Sequence, residues 1–182
     1  MNNELLTACQ QAGIQLDGCV THEGQPVDGA RLLWAIAGNE SNWGTLREFV
    51  RHEKGYLPGG YYYRNSLQIR QEFRRWGVLA GSSFGSFQIM YESAREVGYQ
   101  GHPILLQHDG TCAEWAAKII KHRFIAKQVC RNVADVLHAF FVDAGRSSPT
   151  NYIEQGLANY VRGLPDPNWP EWAPSVPVQV SA

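Results

Sequence analysis

DGARLLWAIAGNESNWG, residues 28–44, decides how this chain is read. Asp28 is placed to cap a helix in which Leu32, Leu33, Ile36 and Ala37 are spaced for burial on one side. Gly38 and Asn39 are expected to loosen that helix near its C-terminus. A single carboxylate follows, Glu40, set between Asn39 and Ser41 and close to Trp43. It is either an ordinary solvated helix end or an acid held at the rim of a cleft. An acid that protonates a leaving oxygen must keep its proton near neutrality, which requires a desolvated pocket raising a Glu pKa from ~4.3 towards ~6.

Outward from this stretch, helical periodicity dominates. Residues 3–12 form a short amphipathic helix with Leu5, Leu6 and Cys9 on one side. Ser66 is placed to cap a helix running to Trp76, and SFQIMYESAREVG (86–98) reads as a helix capped near Ser86 and ended by Gly98. HDGTCAEWAAKIIKHRFI (108–125), with Asp109 as its cap, carries the clearest buried repeat. NVADVLHAFFVDAG (132–145) and SPTNYIEQGLANYVRG (148–163) follow, with Pro149 in the first turn of the latter. Residues 45–65 are rich in Gly, Tyr and charge, and YLPGGYYYR (56–64) reads as a small hairpin. GVLAGSSFGS (77–86) reads as a glycine-rich linker. The expected architecture is mainly α: one domain over residues 1–164, with a long irregular insertion after Glu40. An extended tail over 165–182 carries five of the nine prolines.

Composition narrows the function. With 44% hydrophobic and 18% charged residues among 182, the chain can bury a sizeable core and does not read as disordered. A net charge of −1 argues against a dedicated nucleic-acid binder. No apolar run approaches the ~20 residues of a membrane span. MNNELLTACQQAGIQLDGCV has no basic n-region, so a product made in the cytoplasm without a signal peptide is expected. Cys9, Cys19, Cys112 and Cys130 lack zinc spacing and read as free buried thiols, with Cys9–Cys19 and Cys112–Cys130 pairings left open. No metal or cofactor is called for, and no P-loop, dinucleotide fingerprint, Ser-His-Asp or Cys-His arrangement stands out.

A second stretch raises the odds that Glu40 is functional. GSFQIM (85–90) places two small residues ahead of Phe87 and Gln88, and small residues let a backbone approach a ligand. Gln88 offers an amide suited to an N-acetyl group, and Met90 an adaptable apolar wall.

NES (39–41), GSFQIM (85–90), FVDAG (141–145) and NYIEQGL (151–157), in that order, resemble the catalytic domain shared by soluble lytic transglycosylases and goose-type lysozymes. REFVRHEKGY (47–56) resembles the R-Y-E segment of phage-associated members, whose insert after the catalytic Glu is longer. The resemblance spans about residues 28 to 162. It implies a lysozyme-like fold and cleavage of the β-1,4 bond from N-acetylmuramic acid to N-acetylglucosamine in peptidoglycan. Glu40 matches the general acid/base, Ser41 the serine that orients acid or substrate, Gln88 and Met90 substrate contacts, and Tyr152 the tyrosine whose hydroxyl faces the acid. The implied partner is a peptidoglycan glycan strand at the cell wall, reached through a phage holin or in a virion, with no stable membrane insertion.

The departures bear on mechanism. Where the family has Tyr-Asn, this chain has Val142-Asp143. The insert adds Glu48 and Glu53, so the candidate second acids are Glu53 and Asp143. A hydrolase of the inverting kind needs a base ~6.5–9.5 Å from the acid. A transglycosylase needs none, since one Glu protonates the glycosidic oxygen and then takes the proton of the muramic 6-hydroxyl. A non-catalytic wall-binding or virion structural protein is the reading from another class. Arg70, Arg74 and Arg75, and a row of Lys118, Lys121, His122, Arg123, Lys127 and Arg131, read as solvated helix faces. His138, in an apolar helix, reads as a core histidine.

Overall fold

The computed structural model describes residues 2–45, 49–127, 130–143 and 150–165, and the side chains among them other than those of 142, 143 and 150. The chain is mainly helical. The elements run α1 (Asn3–Gly13), α2 (Gly29–Ser41), β1 (Val50–His52), α3 (Tyr61–Asn65), α4 (Leu67–Trp76), β2 (Ser82–Phe84), β3 (Ile89–Met90), α5 (Tyr91–Glu96), α6 (Asp109–Ile119), α7 (Val133–Asp143) and α8 (Thr150–Arg162). Short 3-10 turns connect several of them, and a π-helical turn, Ile120–Ile125, extends α6.

Side-chain caps start α1, α2 and α4, the last two at the residues the sequence places. Asn2 Oδ1 accepts the Leu5 N–H at 3.1 Å, Asp28 Oδ1 the Arg31 N–H at 3.0 Å, and Ser66 Oγ the Ile69 N–H at 3.2 Å. The apolar stripes then meet. α1 packs on α2 and α6, and α2 lies in turn against α8, which pairs with α7. Leu5, Cys9, Leu32, Ile36, Cys112, Ala116 and Leu137 are fully buried where these faces join. Each buried Leu or Ile contributes about 1.5–3 kcal/mol. α1 and α2 cross at contact distance because Gly13 and Gly29 meet backbone to backbone.

Several expectations need correcting. α2 does not loosen at Gly38; it runs on to Ser41 and ends at Asn42 in the left-handed region. Its last turns are held by tertiary packing, and Gly38 is there because the Trp43 ring lies where a Cβ would point, 2.7 Å away. YLPGGYYYR forms no hairpin; a 3-10 turn (Lys54–Tyr56) leads into α3. The 86–98 stretch is not one helix. Ile89 and Met90 form β3 and α5 begins at Tyr91. The linker 77–86 contains β2, which pairs antiparallel with β1 (Arg51 opposite Ser83) and with β3 (Ser83 opposite Met90). His108, not Asp109, occupies the N-cap position of α6, without a side-chain capping bond, and the Asp109 carboxylate turns to Ser86 and Asn2. His138 is exposed, because it lies on the face of α7 turned away from buried Leu137, Phe140 and Phe141. The basic row does lie on solvated surface, with Lys121, His122, Lys127 and Arg131 exposed, and four of its members have partners there: Lys118 with Glu114, Lys121 with the Gln15 carbonyl, Arg123 with Glu96 and Arg131 with Asp135. Pro149 and the tail beyond Pro165 lie outside the described residues.

All four cysteines are free, so neither disulfide pairing forms. Burial pushes the Cys9 thiol far up, Cys112 to about 12 and Cys130 to about 11. Only the thiolate reacts. At about pH 8 the native protein is therefore expected to show one fast thiol out of four, the half-buried Cys19, with a disulfide reagent, and all four after denaturation. A second fast thiol in the native state would contradict this burial.

Candidate functional site

Glu40 sits in the last turn of α2 and is only 5% exposed. Among the described residues it is the one carboxylate in the buried set. The Tyr152 hydroxyl, from α8, donates to Glu40 Oε1 at 2.8 Å. Tyr152 is itself buried, its ring 4.5 Å from that of Phe141 on α7. Asn39, beside the acid, fixes α8 to α2: its Nδ2 donates to the Tyr152 carbonyl at 2.7 Å. Gly156 leaves room for that amide, since a Cβ there would stand 2.9 Å from Asn39 Nδ2. The sequence reading used Asn39 only as a helix stopper and missed this role.

Ser41 joins the acid's helix to the GSFQIM turn. Its hydroxyl lies 3.1 Å from the Ala37 carbonyl and 2.8 Å from the Ser86 carbonyl, and it accepts the Gly44 N–H at 2.8 Å. Ser86 Oγ then donates to Asp109 Oδ1 at 2.5 Å, and Asn2 Nδ2 donates to Asp109 Oδ2 at 3.2 Å. The residue that caps α1 is thus tied to the same carboxylate as the turn behind Glu40. Nothing local in the sequence signals that link, because the partners stand 107 and 23 positions apart.

Gly85 is small for an internal reason rather than for a ligand. It holds φ 66°, and a Cβ would meet the Leu106 carbonyl at 2.6 Å and Cys112 Sγ at 2.7 Å. Gln88 follows at φ 48°, with its Nε2 donating to the Gly85 carbonyl at 2.9 Å. The Ser83 hydroxyl is within donating reach of Gln88 Oε1 (3.1 Å) and Glu53 Oε1 (2.9 Å). The Gln88 amide is engaged in holding this turn, and Met90, 5% exposed, is buried beside it on β3. Glu53 Oε1 also receives Arg51 Nε at 2.7 Å. The sheet explains this grouping: Arg51, Ser83 and Met90 form one cross-strand row, with Glu53 and Gln88 just beyond the strand ends.

Among the described residues the non-glycine positions with positive φ are Asn42, Trp43 and Gln88. All three fall in the two stretches singled out from sequence. Bulky residues pay for such backbone, and that strain concentrates at functional sites. The Ser41–Ser86 hydrogen bond joins the two stretches, and the Tyr152 hydroxyl faces Glu40. The Asp143 side chain and all of Glu48 lie outside what is described. Among the described residues no cluster of three His, Cys, Asp or Glu is placed to hold a metal, and no helix is long and apolar enough to cross a membrane.

Comparison with protein-family models, with curated proteins and with solved structures gave no match.

Proposed function

We propose that this protein is a lysozyme-like, peptidoglycan-cleaving enzyme that cuts the N-acetylmuramic acid to N-acetylglucosamine bond, most simply as a lytic transglycosylase. The observation that carries the reading is Glu40, buried in the last turn of α2 with the Tyr152 hydroxyl 2.8 Å from its Oε1. Burial disfavours the charged form of a carboxyl, which is the condition a general acid needs. In the proposed reaction Glu40 gives its proton to the glycosidic oxygen as that bond breaks. The resulting carboxylate then takes the proton of the muramic 6-hydroxyl as its oxygen closes on C1, so the acid is regenerated and no water is consumed. Tyr152 holds one carboxyl oxygen through both steps. Ser41 fixes the end of α2 against the GSFQIM turn, and Gln88 and Met90 shape the neighbouring wall.

A second reading, hydrolysis, is favoured by one feature. Glu53 Oε1 is clamped by Arg51 and Ser83, whereas Glu53 Oε2 has no partner among the described residues, and in this reading that oxygen is the base that activates water. The test is digestion of purified sacculi. Release of soluble glycan fragments is expected, and sacculi left intact would overturn both readings in favour of a wall-binding or structural protein.

A further inference from the structure

A cavity of about 530 Å³ opens between the N-terminus, the turn after α2 and the end of α8. That volume falls in the range of small-ligand sites. Its lining includes Trp34, Asn42, Trp43, Asn159, Arg162 and Leu164, and does not include Glu40, Tyr152, Gln88 or Met90.

The wall of this cavity is built rather than incidental. Trp34 and Trp43 stand with ring centroids 5.7 Å apart and planes tilted by 30°. Trp43 holds φ 53°, backbone that a bulky aromatic rarely adopts. Its Nε1–H donates to the Trp34 carbonyl at 3.1 Å. The indole donor is spent inside the protein, so what Trp43 offers the cavity is ring surface. Gly38 gives the ring its seat on α2. Arg162 supplies charge: its guanidinium has no hydrogen-bond or ion-pair partner among the described residues. Asn42 and Asn159 add amide oxygens; their Nδ2 groups donate inside the protein, to Thr45 Oγ1 at 2.8 Å and to Asn39 Oδ1 at 3.4 Å.

We infer that this cavity is a second, non-cleaving saccharide site for N-acetylated amino sugars that carry a carboxylate. The pyranose ring lies on the tryptophan wall, the side-chain amide oxygens accept from the acetamido N–H and a sugar hydroxyl, and Arg162 pairs with the carboxylate. The inference rests on the function proposed above and adds a second contact with the same polymer. Gly38 and Glu40 are two residues apart, about 200° around the helix. The two sites therefore back onto α2 from nearly opposite sides, and one protein engages two stretches of glycan, one held and one cut.

The test compares two cavity variants, Arg162→Gln and Leu164→Trp, the second chosen to fill the space. Sedimentation with purified sacculi, in a Glu40→Gln background that prevents digestion, reads binding. Cleavage of a soluble muramic-acid tetrasaccharide by the same variants with Glu40 intact reads the cutting site. Both variants are expected to bind sacculi roughly tenfold more weakly, the scale of one charge-assisted contact, with the loss confined to sacculi. Unchanged sacculus binding in both would overturn the inference, and so would a parallel fall in tetrasaccharide cleavage, which would merge the cavity with the cutting site. Failure of the parent reading looks different: the unmodified protein then cleaves neither substrate, and the inference falls with it.

Discussion

Glu40→Gln is expected to abolish release of soluble fragments from sacculi, by about 10²–10⁴-fold, while leaving the fold and sacculus binding in place. The two side chains have the same shape, and the Tyr152 hydroxyl can donate to the amide oxygen as it does to Glu40 Oε1. What Gln lacks is a transferable proton. The measurement is initial rate of clearing, with circular dichroism and sacculus sedimentation as controls for folding and binding. Undiminished clearing would remove Glu40 from the chemistry. Loss of clearing together with loss of fold would instead give it a structural role. The two outcomes separate because clearing reads the chemistry and circular dichroism reads the fold.

The second large effect is structural. A Cβ at Gly29 would stand 2.1 Å from the Gly13 carbonyl oxygen and 2.8 Å from Leu16 Cβ. The first obstacle is backbone, which cannot rotate away as a side chain can. Gly29→Ala must push α1 off α2, and about 3 kcal/mol of destabilisation is expected, the upper end of ordinary overpacking. For a chain of this length that is a fall of about 6–12 °C in Tm. Gly110→Ala is the control: it lies in the first turn of α6 with nothing within 4 Å of the added Cβ. It should be neutral or slightly stabilising, because Ala restricts the unfolded chain more than Gly does. Equal melting of the two variants would show that the α1–α2 crossing is looser than the backbone contact implies.

The α1–α2 crossing matters to the site as well as to stability. Asn2 caps α1 and also reaches Asp109, which holds Ser86 behind the acid's helix. A shift of α1 is thereby transmitted to the turn that Ser41 braces.

What the sequence made legible follows from the range of each signal. Caps are local, so Asp28 and Ser66 could be placed from neighbouring residues alone. The burial of Leu32, Leu33 and Ile36 follows from a 3.6-residue period that needs no partner to be named. The sheet was hidden because its strands are two or three residues long. Its central strand also buries Ser82 and Ser83 through hydrogen bonds to His52 and Glu53, so no apolar alternation marks it. His138 was misread because an apolar helix was treated as buried all round, when one residue's step of about 100° carries it from the core to the surface. Glu40 and Tyr152 were legible only through motif order. Their contact spans 112 positions, and no periodicity reaches that far. The tryptophan cavity was not legible at all. Trp43 was taken as a neighbour of the acid, but the left-handed turn at Asn42 and Trp43 carries its ring back onto Gly38 and Trp34.

The most direct test of the central claim, that Glu40 acts alone as acid and then base, is mass spectrometry of the fragments released from sacculi. Fragments ending in 1,6-anhydro-N-acetylmuramic acid are the predicted result, because ring closure uses the muramic 6-hydroxyl and no water. Fragments ending in reducing N-acetylmuramic acid would contradict it and require a second carboxylate, with Glu53 the first to be replaced.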